Sequence, residues 1–132
     1  MDLTNKDLNE IKLWIEALRS GKFNQSIDTL QDLNGYCCLG VACKVVIPQE
    51  DLITDNEILI GQFPKSQQAP VWLRLINDNF YEKVGKELTS LNDNYNFTFL
   101  QIAELIEDLY IKKLDKITVE NKVREILSEL YF

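Results

Sequence analysis

The chain has 132 residues, and none of them is histidine. Histidine is the usual general base near neutral pH and a frequent metal ligand, so its absence disfavours histidine-dependent catalysis and zinc sites. The five scattered glycines match neither the phosphate-binding loop nor the dinucleotide-binding spacing. No run of about 18 apolar residues occurs that would predict a membrane span. The sequence therefore predicts no metal, no cofactor and no membrane partner.

The net charge of −7 leaves no segment basic enough to neutralise several phosphates, which disfavours a nucleic-acid polymer as partner. A few local donors can still hold a small anion against an unfavourable overall field. The acidic, polar start of the chain does not have the pattern of a signal peptide. The odd count of three cysteines is typical of a reducing compartment. We therefore expect a cytoplasmic location.

All three cysteines fall within seven positions, in a segment that is apolar on nearly all sides. Cys38 and Cys43 are interpreted as small core residues of a buried helix. Cys37 lies near the predicted amino terminus of that helix, where the peptide dipoles lower a thiol pKa. It is a weak candidate for the nucleophile of an atypical cysteine hydrolase. The objection is the missing base, because Asp93 could replace histidine only with a strongly raised pKa.

Periodicity and capping signals predict an α+β, mainly helical fold: a single domain, 1–132, of about five or six helices with a possible small antiparallel sheet in its middle section. Thr4 and Thr98 are predicted N-caps. The sheet prediction depends on one short candidate strand, Glu57–Gly61. The acidic residues of the helix after Thr98 are interpreted as a solvated face. The predicted helices are Thr4 to Gly21, Cys37–Val46, a short one opened by Pro70, Phe80–Leu91, Thr98 to about Lys113, and a last one starting at Asp115 or Thr118.

Polar and aromatic side chains gather at the predicted boundaries between elements, where they are candidates for one ligand-binding pocket. Cations there suit an anionic group, amides supply hydrogen bonds, and an aromatic face suits a base. The alternative is that each residue caps only its own helix or turn. The candidate ligand-binding residues are Arg19, Lys22, Gln25, Tyr36, Asn92 and Asp93.

Four motifs, in this order along the chain, carry a resemblance: Ala17–Gln25 (ALRSGKFNQ), Tyr36–Val41 (YCCLGV), Leu91–Asp93 (LND) and Phe99–Glu107 (FLQIAELIE). The set resembles small bacteriophage-encoded proteins of unassigned function. The resemblance implies a phage or prophage setting and no particular activity.

These observations favour a small phage accessory protein that binds without catalysis. It would sequester a small anionic, nucleotide-like ligand, in evasion of host antiviral defence. One alternative is an acidic inhibitor that binds a host protein or imitates nucleic acid, and this predicts carboxylates in two rows. The other is the hydrolase with Cys37. The sequence leaves a homo-oligomer open.

Overall fold

The structure is a computed structural model that describes residues 2–27, 31, 33–46, 53–54, 57–58 and 70–131. Within these residues the fold is mainly helical, as predicted, with six α-helices and one π-helix that continues the fifth. The α-helices are α1 (Asn5–Arg19), α2 (Cys38–Val46), α3 (Val71–Val84), α4 (Leu88–Asp93), α5 (Phe99–Ile106) and α6 (Lys116–Tyr131), and the π-helix is Glu107–Ile111.

The predicted small sheet amounts to one antiparallel pair of two-residue strands, β1 (Ile53–Thr54) and β2 (Glu57–Ile58). A pair this short forms no layer of a core, since independent sheets need three or more strands or a packed face. A small sheet is therefore not supported as part of the architecture. Of the predicted strand Glu57–Gly61, the last three residues lie outside the described residues.

The core forms around α1, which packs against both α2 and α5. Ile11, Trp14 and Leu18 recur at helical spacing on its buried face. The Trp14 indole nitrogen donates a 2.9 Å hydrogen bond to the Cys38 carbonyl oxygen, and its ring packs 5.7 Å from that of Trp72. The described buried residues form one cluster, consistent with one domain.

Both predicted N-caps are confirmed. The Thr4 hydroxyl accepts from the Asp7 backbone N–H while the Asp7 carboxylate accepts from the Thr4 N–H, at 3.1 Å each. Thr98 and Gln101 form the same reciprocal pair, at 3.1 and 2.9 Å. These bonds satisfy backbone donors that a helix start leaves without partners. They fix where α1 and α5 begin.

The prediction of one helix over Phe80–Leu91 is wrong. The segment after Pro70 is a single helix, α3, which ends at Gly85 in the left-handed conformation with φ 79°. Glycine adopts this conformation without the steric penalty of a Cβ atom, so it ends a helix readily. A separate short helix, α4, follows.

The helix predicted to run from Thr98 to about Lys113 is regular only as far as Ile106, where the π-helix begins. The interpretation of its acidic residues as a solvated face is wrong for Asp108, which is fully buried. The Lys122 ammonium lies 2.6 Å from one carboxylate oxygen of Asp108 and balances its charge. The other oxygen has no hydrogen-bond partner in the described structure. A π-turn widens the helix by one residue per turn, and such turns occur frequently at functional sites.

Candidate functional site

The structure brings four of the predicted ligand-binding residues together in what we call the amide junction: Gln25, Tyr36, Asn92 and Asp93. At its centre is Asn92, with 1% of its surface exposed. The Asn92 side-chain oxygen accepts from the Gln25 amide at 2.9 Å and from the Cys38 backbone N–H at 3.2 Å. The Asn92 side-chain nitrogen donates to the Ser26 carbonyl oxygen at 2.8 Å and to the Asp93 carboxylate at 2.7 Å.

These four bonds use the full hydrogen-bonding capacity of the Asn92 side chain. The Gln25 amide also donates to the Phe97 carbonyl oxygen at 2.7 Å. Tyr36 contributes its backbone, which pairs with Asn24 and Ser26 at 2.9 and 2.7 Å. The junction therefore ties the chain before α2 to α4, and all hydrogen-bonding positions of the Asn92 side chain are used within it. Ligand binding there stays a prediction.

The structure does not place Arg19 at this junction. The Arg19 guanidinium forms a two-pronged ion pair with Glu107, at 3.0 and 3.2 Å. The pairing raises the pKa of Arg19 and lowers the pKa of Glu107. Lys22 is exposed, and its backbone N–H donates to the Ser20 hydroxyl at the end of α1. The two predicted cations thus lie at the end of α1, with Arg19 directed to the π-helix.

The three thiols are buried. Burial raises the pKa of Cys37 and of Cys43 to about 12, and raises that of Cys38 well above its usual value. The Gly40 N–H donates to the Cys37 sulfur at 3.4 Å, but this helix-start effect opposes burial without overcoming it. The core interpretation of Cys38 and Cys43 is confirmed. For Cys37 the environment is opposite to the one that a thiolate nucleophile needs.

Native protein should therefore react very slowly with iodoacetamide or an aromatic disulfide reagent at pH 7.5. With a pKa of about 12, only about one Cys37 thiol in thirty thousand is ionised at that pH. In denaturant all three thiols should react promptly, and mass spectrometry would count them. Rapid modification of one thiol at Cys37 in native protein would contradict this expectation and revive the hydrolase hypothesis.

A cavity of about 480 Å³ lies between the start of the chain, α3 and the end of the π-helix, and we call it the lysine cavity. Its volume is within the range of small-molecule sites. Four leucines supply apolar wall, and the remaining lining is polar or charged. The lining residues are Asp2, Leu3, Leu8, Asn79, Lys83, Leu109, Tyr110, Lys113 and Leu114.

The two ammonium groups of this cavity are available to a ligand. Neither the Lys83 nor the Lys113 side chain has an ion-pair or hydrogen-bond partner among the described residues. Tyr110 is 8% exposed, and its hydroxyl has no well-formed hydrogen bond there. Burial raises the pKa of Tyr110, an effect that the nearby Asn79 amide only partly opposes, so the hydroxyl stays a neutral donor. Most buried hydrogen-bond donors in proteins have an acceptor, so the Tyr110 hydroxyl is an exception.

Lys113, which lines the cavity, has an unusual backbone conformation. Its φ is 56°, in the left-handed region that glycine normally occupies after a helix. The chain reverses there, and the Leu114 N–H donates to the Asp108 carbonyl oxygen at 2.8 Å. A side chain in this conformation costs about 1–2 kcal/mol. Backbone strain of this kind is concentrated at functional sites, and here it places an ammonium group beside the cavity.

Sequence reasoning did not identify Lys83, Tyr110 and Lys113. Both lysines lie at helix ends, where a cation is ordinarily explained by the helix dipole. The π-turn that brings Tyr110 and Lys113 to the same cavity has no local sequence signature. The sequence does contain one indication of where α3 ends, and therefore that Lys83 lies in its last turn. This indication is Gly85, the residue at which α3 ends.

No helix among the described residues is long and apolar enough to cross a membrane. No three side chains of the types that bind metals lie together among the same residues. The carboxylates of Glu104, Glu107 and Asp108 form ion pairs with Arg19, Lys112 or Lys122, so they do not form a free acidic row.

A family model for a domain of unknown function (DUF8296) matches residues 7–67 of the chain. This is just under half of the chain, and it includes α2, the Gln25–Tyr36 segment and all of α1 except its first two residues. Asn79, Lys83, Tyr110 and Lys113 lie beyond it. No curated protein and no solved structure matches the chain.

Proposed function

We propose that this protein is a non-enzymatic binder that sequesters a small anionic ligand of nucleotide type in the lysine cavity. One observation carries the proposal: two lysine side chains without ion-pair or hydrogen-bond partners among the described residues line the same cavity. An anionic oxygen is the group that would pair with both ammonium groups. The leucines beside them supply apolar surface for the uncharged part of the ligand.

The local charge of the cavity supports this choice of ligand. Lys83 and Lys113 against Asp2 give a local balance of +1, in a chain whose net charge is −7. At about 4 Å an ammonium and a phosphate attract by about 1 kcal/mol in water and by about 4 kcal/mol at a partly desolvated surface. The attraction is screened by salt, so the affinity should fall as ionic strength rises.

Two features favour binding over turnover. The chain has no histidine, and its thiols are buried with raised pKa values. The resemblance to phage-encoded proteins supports an infected bacterial cell as the setting, with the protein in the host cytoplasm. In that setting, sequestering a nucleotide signal would serve evasion of host antiviral defence.

Calorimetry tests the proposal with protein at about 100 μM, a concentration suited to weak binding. The probes are adenosine monophosphate, cyclic nucleotides and ADP-ribose. We expect heat from at least one of them. Replacing either cavity lysine should weaken that binding about tenfold, since each replacement removes a charge-assisted contact of about 1.4 kcal/mol.

Two variants and a control make this test specific. Lys83→Gln removes one ammonium group. Lys113→Gly removes the other and relieves the left-handed strain, so it should weaken binding while raising the free energy of unfolding by about 1 kcal/mol. Lys116→Gln changes the charge equally at an exposed site and should do neither. No heat from any probe, or equal losses in all three variants, would remove the proposal.

A further inference from the structure

The lysine cavity has one charged group that a simple anion site would not need, the carboxylate of Asp2. Asp2 is exposed, and no ion pair within 4.0 Å joins it to Lys83 or Lys113. The two ammonium groups therefore do not neutralise it. The cavity presents separate positive and negative groups around an apolar wall.

The short segment that carries Asp2 is anchored. Leu3 packs against the core, and the next residue, Thr4, caps α1 through its bonds with Asp7. Asp2 and Leu3 line both the lysine cavity and a neighbouring cavity of about 330 Å³ beside Trp72. The segment thus forms the wall between the two cavities, and Asp2 has a defined place in the lining.

We infer that Asp2 determines the specificity of the lysine cavity, which selects phosphomonoesters whose alcohol part carries further hydroxyl groups. This inference rests on the function proposed above. The two lysines hold the phosphate, and Asp2 accepts a hydrogen bond from a hydroxyl of the attached sugar. A phosphate without such a donor meets only the repulsion of Asp2, because a carboxylate has no proton to donate at neutral pH.

The size of each effect follows from ordinary interactions. A hydrogen bond between a hydroxyl and a carboxylate contributes about a tenfold gain in affinity when its partner is otherwise unpaired. One like charge about 8 Å away in water weakens phosphate binding about two- to threefold. Asp2 should therefore favour hydroxyl-bearing phosphomonoesters over bare ones by about tenfold or more.

The test compares ribose 5-phosphate with ethyl phosphate, which has the same phosphate group and no hydroxyl. Calorimetric titration would be carried out on the wild-type chain, Asp2→Asn and Asp78→Asn, all without an amino-terminal tag. Asp78 is exposed on α3 and does not line the cavity, so it is the matched charge control. The wild-type chain and Asp78→Asn should prefer ribose 5-phosphate. In Asp2→Asn, ethyl phosphate should bind about two- to threefold tighter and ribose 5-phosphate weaker.

The outcomes separate this inference from the proposed function. If both probes bind, Lys83→Gln weakens both, and Asp2→Asn leaves their ratio unchanged, the role of Asp2 is overturned while the anion site stands. An equal gain for both probes in Asp2→Asn, or the same change in Asp78→Asn, also overturns it, since Asp2 then acts only through its charge. If neither these probes nor any nucleotide binds the wild-type chain, the proposed function fails first.

Discussion

Asn92→Ala is expected to lower the free energy of unfolding by about 3–5 kcal/mol. The change removes a buried amide that makes four hydrogen bonds. It leaves the buried N–H of Cys38 without its side-chain acceptor, at about 1–3 kcal/mol, and it removes the other three bonds and opens a small cavity. Urea unfolding followed by circular dichroism would measure the loss.

Asn94→Ala is the matched control for this change. Asn94 is the same residue type two positions further on, at the end of α4, and it is exposed. Its replacement should change the stability by no more than about 0.5 kcal/mol. If the two alanine variants unfolded at the same urea concentration, the amide junction would not be a structural element of the fold. Asn92 would then return as a candidate for ligand binding.

Gly35→Ala should have the second large effect, a loss of about 3 kcal/mol in the free energy of unfolding. A Cβ atom at Gly35 would collide with the backbone carbonyl of Asn24 and lie 2.7 Å from its carbon. That carbonyl accepts the hydrogen bond of the Tyr36 N–H, so the clash cannot be relieved without losing the bond. Overpacking against a fixed backbone costs about 1–3 kcal/mol, and the lost bond adds about 1 kcal/mol.

Gly21→Ala separates the clash from the loss of glycine itself. Gly21 has a left-handed φ of 74°, and a Cβ atom there would meet nothing within 4 Å. Its replacement should cost only the conformational penalty of about 1–2 kcal/mol. Thermal or urea unfolding of both variants tests the difference. Equal losses would show that no tight contact exists at Gly35.

The parts of the fold that could be predicted are those specified by neighbouring residues. The caps at Thr4 and Thr98 need only a partner three positions away, and the buried face of α1 follows from helical spacing. The end of α3 was missed although its signal was present. The predicted helix Phe80–Leu91 runs through Gly85, whereas the left-handed conformation of Gly85 ends α3.

The site was harder to predict because its contacts are long-range. The partner of Arg19 is Glu107, 88 positions away, and nothing near Arg19 in the sequence indicates it. The sequence analysis placed Gln25 and Asn92 in one candidate pocket. It did not predict their hydrogen bond to each other, which forms because the Asn92 side chain of α4 is buried. The lysine cavity depends on the π-turn before Lys113, a change in helix geometry that residue periodicity does not show.

A nuclear magnetic resonance titration of the ¹⁵N-labelled chain with adenosine monophosphate tests the central claim most directly. The account predicts that the largest shift changes fall on the backbone amides of Lys83, Tyr110 and Lys113, with small ones at Gln25 and Asn92. Shift changes centred on Gln25 and Asn92, or none at any amide up to millimolar nucleotide, would contradict it.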